Sequence, residues 1–505
     1  MEKNNKFKTW FEEHEVEDLE VLVPDMAGAA RGKMIPVSSF GEGEMKMPEG
    51  IFGQTITGNY FESENNVEDR DMLLEPNINT LCMVPWMEIP TASLIFNGFT
   101  KEGIAIESAP RRVLQNVLEL YSKKGWKPVV APEAEFYLLN PSNDFHNEIE
   151  PPQGRLGITD TTKQPYSLDS MNNFDPFINQ VYEYSEIQGI SIDNISQEMG
   201  PAQLEINFVH GDPLSLADQV FRFKRIVKEV AIQHEMHATF MARPITGEAG
   251  SALHVHQSVM DESDNNIFTN EDGSVSEMFL HYIGGLQRYI PDSLLIFAPY
   301  ANSYRRFLSY WSSPVNLEWA VDNRSVGLRV PDSDPKNRRV ENRLGGSDVN
   351  PYLALAATLA CGYLGMTEKL KPRDAIEGSA YDLPFDLHRH MYASIDAFSS
   401  SEARKIVKRN LGNEIFESIT NFSEPVAAAS IAQVHKVQIN DNGVIKDVAI
   451  KILRPNIKKI FNEEIDALML LAYFIENLIK KTKRLKLVEV VFLLKEITNH
   501  EMDLR

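Results

Sequence analysis

The chain has 505 residues, 43% of them hydrophobic, and 50 lysines and arginines against 72 aspartates and glutamates leave a formal net charge of −22. So acidic a chain excludes broad electrostatic affinity for nucleic acid and makes an anionic membrane surface a poor partner. Cys82 and Cys361, the only two cysteines, stand far apart in sequence, which excludes a disulfide scaffold or a CxxC site and points to the reducing cytoplasm.

The opening twenty residues are charged and lack the apolar core of a secretion signal, and later apolar stretches are broken by charged residues, so a soluble chain without a membrane span is expected. Residues 1–103 mix short strand-like runs, Leu19–Pro24 and Thr80–Pro85, with Gly- and Asp-rich turns after one helical opening segment, and read as a small sheet-rich domain. From about residue 104 a helical stretch (109–124) leads into the strand-like KPVVAPEAEFYLL, and such alternation recurs to about 420. Within it Leu216, Val220, Phe223, Val227 and Val230 recur at helical spacing, and the Ala- and Leu-rich run 350–365 predicts a buried helix. After residue 423 the acidity disappears: residues 424–505 carry 13 basic and 11 acidic side chains.

Residues i and i+2 of a strand share a face. Four such pairs are polar in otherwise apolar runs: Glu133 and Glu135, His254 and His256, Glu341 and Arg343, and Gln203 and Glu205, with Glu198 just upstream of the last across a Gly-Pro turn. Each pair alone is compatible with a solvated strand face. Four in one domain predict a polar interior, because buried charges must meet cations or one another. Glu133, Glu135, Glu198, Glu205, Glu341 and His254 are mostly hard oxygen donors, a set suited to Mg²⁺ or Mn²⁺ rather than to zinc or iron–sulfur chemistry. The same half of the chain supplies Arg305, Arg306, Arg324, Arg329, Arg338, Arg339 and Arg343, whose forks match phosphate and carboxylate oxygens. Metals with convergent arginines indicate ATP and an anionic co-substrate, although neither a P-loop nor a GxGxxG motif is present.

With six motifs in order, PEAEFYLL (132–139), EMGPAQLEIN (198–207), GSALHVHQS (250–258), APYANSYRR (298–306), DNRSVGLRVP (322–331) and KNRRVENRLGGSDVNPYLALAA (336–357), the chain resembles the glutamine synthetase family over roughly residues 15–420. The resemblance implies an α+β architecture: an N-terminal β-grasp domain (1–103) and a catalytic α/β domain (104–422) with a curved antiparallel sheet. It also implies homo-oligomeric rings, hexameric or dodecameric, with active sites between subunits. The implied reaction is phosphorylation of the glutamate γ-carboxylate by ATP, followed by displacement of phosphate by an amine. Carried over by position, Glu135, Glu198 and Glu205 resemble ligands of the metal near the substrate carboxylate, and Glu133, His254 and Glu341 those of the metal on the ATP phosphates, giving two or more Mg²⁺ or Mn²⁺ per site. Arg306 and Arg343 resemble the arginines that hold glutamate, beside Gly250. Arg324 and Arg329 resemble those facing the transferred phosphate; with Arg306 and Glu341 they form the implied catalytic set. His256, Ser258, Lys336, Arg339 and Arg329 match nucleotide-side positions.

Two departures concern the amine. The family's flap acid corresponds here to Ser312, and its ammonium-binding aspartate loop to TGNYFES (57–63). Loss of both carboxylates implies a bulkier acceptor than ammonium, and the motifs resemble the γ-glutamyl-amine ligase branch, which includes γ-glutamylputrescine synthetases. The alternatives are a glutamine synthetase that uses ammonium through a rebuilt site and a catalytically inactive regulatory or binding protein, against which the intact metal and arginine sets weigh. Tyr381, in SAYDLP, aligns with a tyrosine adenylylated in some bacterial members, though an aromatic in a loop is more often simply packed.

EPVAAASIAQVHK (424–436) and VAIKILRP (448–455) resemble the ABC1/UbiB atypical kinase-like family, whose strand lysine corresponds to Lys451. Since Arg505 precedes any catalytic loop or metal-binding Asp-Phe-Gly, residues 423–505 are expected to be an incomplete nucleotide-lobe fragment, and an ABC1-type ATPase is disfavoured.

Overall fold

A computed structural model describes residues 2–54, 58, 70–141, 149–387, 400–428, 432–441, 444–453 and 495. The chain separates into two compact units, residues 1–391 and 392–505. Apart from Gly58, the TGNYFES segment lies outside the described residues, as does most of the chain beyond Leu453, including its closing EMDLR.

The first unit opens with a helix, Glu2–Glu13, and a six-stranded sheet. Its strands are β1 (Asp18–Pro24), β2 (Ala30–Pro36), β3 (Lys46–Pro48), β4 (Asp71–Pro76), β5 (Cys82–Met83) and β6 (Thr91–Phe99), in the order β2-β1-β6-β4-β3 with β5 also on β6. The central pair, β1 and β6, is parallel and nearly continuously apolar, as strands covered on both faces must be. Alternation divides their side chains between two cores: Leu19, Val21 and Leu94 pack with Phe7 and Phe11 of the opening helix, whereas Leu22 and Ile95 join the large core behind the second sheet. The edge strand β2 carries Arg31 and Lys33, charges that discourage further pairing. The Thr80–Pro85 run contributes only the two residues of β5.

The second sheet has eight strands: β7 (Lys127–Leu139), β8 (Ile192–Gln197), β9 (Gln203–Phe208), β10 (His237–Thr239), β11 (Leu253–Met260), β12 (Trp319–Val321), β13 (Leu328–Val330) and β14 (Val340–Asn342). They run in the order β12-β13-β14-β11-β7-β9-β8, with β10 also on β7. Pairing is antiparallel except between β12 and β13. The expected antiparallel sheet thus carries one parallel pair, at its β12 edge.

One face of β7 sends Ala134, Phe136 and Leu138 into the core, where Phe136 meets Phe177 and Phe223 at ring distances of 6.3 Å. Helices Asp175–Ile187, Pro213–Gln233 and Pro351–Glu368 cover this face. The second begins where Asp212 accepts a hydrogen bond from the Ser215 amide with Pro213 at the first turn, and it buries Leu216, Val220, Phe223, Val227 and Val230 as their spacing predicts. Helix Pro351–Glu368, capped by Asn350, is buried nearly all round. It touches helix Glu277–Tyr289 so closely that a Cβ at Gly285 would fall 2.2 Å from the Cys361 carbonyl oxygen. The alternate residues of β7, Glu133 and Glu135, are thereby turned to the opposite face.

The second unit contains helix Ser400–Glu417, interrupted at Gly412 (φ +84°), and an antiparallel meander of β15 (Ile419–Ala428), β16 (Ala432–Asp441) and β17 (Val444–Leu453). Ala403 and Val407 share a small core with Phe422, Val437 and Ile452. This packing puts the helix with the meander in one unit from Tyr392, upstream of the 422/423 boundary read in the sequence. Among the described residues no helix is long and apolar enough to cross a membrane.

Candidate active site

Strand register gathers the polar pairs. Glu133 lies opposite His254, Glu135 opposite Glu205, His256 opposite Glu341, and Glu341 opposite Arg329. Period-two alternation then places all seven side chains on one face of five neighbouring strands. Glu198 joins from the turn between β8 and β9, where its backbone amide bonds the Gln203 carbonyl.

Three overlapping groups bring ligand atoms within 4.8 Å of one another: Glu135, Glu198 and Glu205; Glu133, Glu205 and His254; and Glu133, His256 and Glu341. In the first, burial and then repulsion from Glu198 and Glu205 push the Glu135 carboxyl well above its usual range. Burial followed by repulsion from Glu133 raises Glu205 to about 8, and burial raises Glu198. The Ala252 amide reaches Glu135 Oε2 at 2.9 Å and Gln203 Nε2 reaches it at 3.3 Å, so the donors around this carboxylate are neutral. Three crowded acids served by neutral donors are suited to a hard divalent cation.

The second region is richer in cations. His256 Nε2 lies 2.9 Å from Glu133 Oε1, and His254 Nδ1 lies 3.4 Å from Glu133 Oε2 and 3.6 Å from Glu341 Oε1. Burial, reinforced by Arg343, lowers His254 to about 4, so the ring is neutral; its Nε2 is buried with no hydrogen-bond partner. Burial opposes ionisation of Glu341, but Arg343 and the histidines hold it at about 2. Arg329 donates to Glu341 Oε2 at 3.0 Å and to Asp322 Oδ1 at 2.7 Å, and Arg343 donates to Glu341 Oε1. The residues present thus fit oxygen-preferring metal ions, with the His254 imidazole turned by its Nδ1 toward Glu133 and Glu341 to join them.

Two cavities adjoin this face. A cleft of ≈ 490 Å³ is lined by Glu133, His256, Ser258, Lys336 and Arg339, and so holds four of the expected nucleotide-side residues but not the fifth, Arg329. A neighbouring pocket of ≈ 420 Å³ is lined by Glu133, Glu205, His256, Arg324, Arg329 and Arg339. Arg306 and Arg343 lie together elsewhere, both buried, with Arg306 donating to the Arg343 carbonyl at 3.2 Å and to that of Leu344 at 2.5 Å. A Cβ at Gly250 would fall 2.5 Å from Arg306 Cγ, so this glycine lets the arginine lie against the chain. Arg324 is exposed, and Arg305 and Arg338 do not line these two cavities.

Sequence reasoning passed over three residues. Tyr166 lines the smaller pocket from a left-handed backbone (φ +64°), a conformation with no signature in the sequence. Asp322 orients Arg329, and Gln203, noticed only as half of a pair, bridges Glu135 to the Gly250 carbonyl. Ser312 is exposed with φ +56°, and its carbonyl accepts from Arg343 at 3.4 Å.

The chain matches the family described as the glutamine synthetase catalytic domain over residues 107–441, and the ABC1 atypical kinase-like domain over residues 390–505. It is 34% identical over 384 residues to the gamma-glutamylputrescine synthetase PuuA of Escherichia coli (strain K12), covering 74% of this chain and 81% of the relative. It is 32% identical to the glutamate–isopropylamine ligase of a Pseudomonas species, covering 80% of this chain and 91% of the relative. A solved structure titled "Apo GmaS without ligand" superposes with a TM-score of 0.63 at 25% identity, covering 74% of this chain and 83% of that one. Among its relatives of known name are ligases that join glutamate to amines. The chain belongs to the glutamine synthetase family.

Proposed function

We infer that the protein is an ATP-dependent ligase that joins the glutamate γ-carboxylate to an organic amine. The observation that carries this reading is the shared face of β7, β9, β11, β13 and β14, where six acids and histidines meet two arginine groups beside a nucleotide-sized cleft. Relatives named for putrescine and isopropylamine support an organic acceptor.

In this reading Glu135, Glu198 and Glu205 hold one Mg²⁺ or Mn²⁺, and Glu133, His254 and Glu341 hold a second. Bound there, the ions neutralise charge on the phosphates. His256, Ser258, Lys336 and Arg339 seat the nucleotide, and Arg324 and Arg329 face its γ-phosphate. Arg306 and Arg343 grip the glutamate carboxylate beside Gly250. A γ-carboxylate oxygen attacks the γ-phosphorus and ADP leaves; the amine nitrogen then attacks the acyl carbon, phosphate leaves, and the nitrogen gives up a proton. Arginines preset toward developing phosphate charge supply most of what such transfer needs from a protein.

The finer architecture belongs to the same reading. Residues 1–103 form a β-grasp domain and the catalytic domain runs from residue 104 to the end of the first compact unit, short of the 422 read in the sequence, with an ABC1-like lobe in the C-terminal part. The subunits assemble into a homo-oligomeric ring with active sites between neighbours, and the free, buried Cys82 and Cys361 suit the cytoplasm. The deciding experiment is phosphate release with ATP, Mg²⁺ or Mn²⁺ and glutamate across ammonium, putrescine, ethanolamine and short monoamines, with products weighed by mass spectrometry. Release with one organic amine supports the ligase and names its substrate. Comparable turnover with low-millimolar ammonium alone replaces the reading with glutamine synthetase, and silence with every amine leaves the binding-protein alternative.

A further inference from the structure

Behind Arg306 lies a charge network that the reaction above does not use. Arg306 is 3% exposed, and its Nε is shut off from solvent without a hydrogen-bond partner. Its terminal nitrogens meet only neutral acceptors: Ser313 Oγ at 3.3 Å and the carbonyls of Arg343 and Leu344. The two carboxylates whose fields favour its charge are Glu135 and Asp348. Since Glu135 is assigned to a metal, Asp348 is the carboxylate left to favour the Arg306 charge, without a direct ion pair and with Lys224 as its stronger cation.

Asp348 stands in the GGSDVNP turn. Its Oδ1 is also enclosed and without a hydrogen-bond partner. A Cβ at Gly346 would fall 2.4 Å from that Oδ1 and 3.2 Å from Ala242 Cβ, while a Cβ at Gly250 would fall 2.5 Å from Arg306 Cγ and 2.7 Å from the Ala242 carbonyl oxygen. Asp348 and Arg306 therefore flank the same residue. The other carboxylate oxygen, Oδ2, accepts from Ser303 Oγ at 2.7 Å, and Ser303 opens the single helical turn Ser303–Arg306 that presents the arginine. The aspartate is itself held from behind: Lys224 Nζ donates to the carbonyls of Ser347 at 2.6 Å and Val349 at 2.9 Å, on either side of it.

We propose that Asp348 is a positioning residue for glutamate binding, which fixes Arg306 through the Ser303 turn and through its charge. The proposal rests on the reading of Arg306 as a glutamate-carboxylate arginine. A hydroxyl-to-carboxylate bond fixes the backbone of the turn, and an enclosed charge holds the guanidinium against rotation, so loss of either costs binding of the substrate carboxylate but not of nucleotide.

The test is calorimetric binding of L-glutamate to the full chain with Mg²⁺ and a non-hydrolysable ATP analogue, which needs no knowledge of the amine. Wild type is compared with Asp348→Asn, Ser303→Ala, Arg306→Ala and the Asp348→Asn/Arg306→Ala double variant, with nucleotide affinity and melting temperature measured in parallel. The expected result is a glutamate Kd raised about tenfold or more by Asp348→Asn, less by Ser303→Ala, with nucleotide affinity unchanged. The double variant is expected to bind glutamate no worse than Arg306→Ala, since Asp348 acts through that arginine. A lowered melting temperature with glutamate Kd unchanged in Asp348→Asn overturns the proposal, as does an additive double variant. If Asp348→Asn does not fold, an unchanged glutamate Kd in Ser303→Ala overturns it. An unchanged Kd in Arg306→Ala removes the underlying reading of Arg306 instead, and so separates the two failures.

Discussion

Glu135 and Glu205 face each other as direct cross-strand partners on β7 and β9. Like charges so placed oppose folding, and the pair relieves the repulsion by holding protons: Glu135 is raised well above the usual range and Glu205 to about 8. The folded, metal-free protein then binds more protons than the unfolded chain between the ordinary carboxylate range and about pH 8, so its stability falls as pH rises through that window. A divalent ion that takes the protons' place binds more tightly as pH rises, and releases protons as it does so. Melting curves at pH 6 and 8.5, with EDTA or with Mn²⁺, are expected to show the larger stabilisation by Mn²⁺ at the higher pH. Glu205→Gln is expected to raise the metal-free melting temperature at pH 8.5 while weakening Mn²⁺ binding at least about tenfold. Equal Mn²⁺ stabilisation at both pH values rules out this linkage.

Arg343 and Arg324 are both assigned to substrate, yet their surroundings differ. Arg343 is 4% exposed against Glu341, which it helps to hold at about 2, whereas Arg324 is exposed. Removing Arg343 strips Glu341 Oε1 of its cation while Arg329 stays on Oε2, so Arg343→Ala is expected to destabilise the protein by about 1–3 kcal/mol. Arg324→Ala is expected to shift stability by no more than about 0.5 kcal/mol while lowering turnover. Because the Glu341 pKa is depressed, the stability it contributes is present above the ordinary carboxylate range and is lost as pH falls toward 2. Urea titrations of the two variants at pH 7 check the contrast, and similar losses in both count against it.

The sheet face was legible in the sequence because alternation is a local property. Glu133 with Glu135 and His254 with His256 advertise a shared side at two-residue spacing whatever strand lies next to them. Which pairs meet was not legible. That His256 stands opposite Glu341, and Glu135 opposite Glu205, depends on register between strands distant in the chain. Tyr166 escaped because its place in the pocket follows from a left-handed backbone that tyrosine does not announce. Asp348 escaped because the groups that hold its turn, Ser303 on the carboxylate and Lys224 on the flanking carbonyls, come from two other segments. The helices Pro213–Gln233 and Pro351–Glu368 were readable from spacing and apolar composition, whereas their caps, Asp212 and Asn350, emerge from the structure.

Ser312 bears on the choice of amine. It sits exposed beside Tyr310 and Trp311, also exposed, with its carbonyl 3.4 Å from Arg343. A neutral hydroxyl there offers no charge to a small ammonium ion, and the two rings offer apolar surface to an alkyl chain. Ser312→Glu restores an acid at the position without touching a buried group. It is expected to raise kcat/KM for ammonium relative to putrescine by about tenfold, with glutamate KM unchanged within about twofold. An unaltered ratio, measured with both acceptors in competition, places acceptor choice outside this loop.

All the proposed site residues lie in the first compact unit, residues 1–391, and the helix Ser400–Glu417 shares its core with the meander of the second. Two truncations therefore have different expected outcomes. A chain ending at Met391 removes the second unit whole and is expected to keep nucleotide and glutamate binding. A chain ending near Asn421 keeps the helix but deletes Val437 and Ile452, against which Ala403 and Val407 are buried. The exposed apolar stripe is expected to drive association, visible as aggregation on size-exclusion chromatography at micromolar concentration. If instead the longer chain stays disperse and the shorter one loses binding, the helix Ser400–Glu417 works with the first unit, and the ABC1-like unit starts after it.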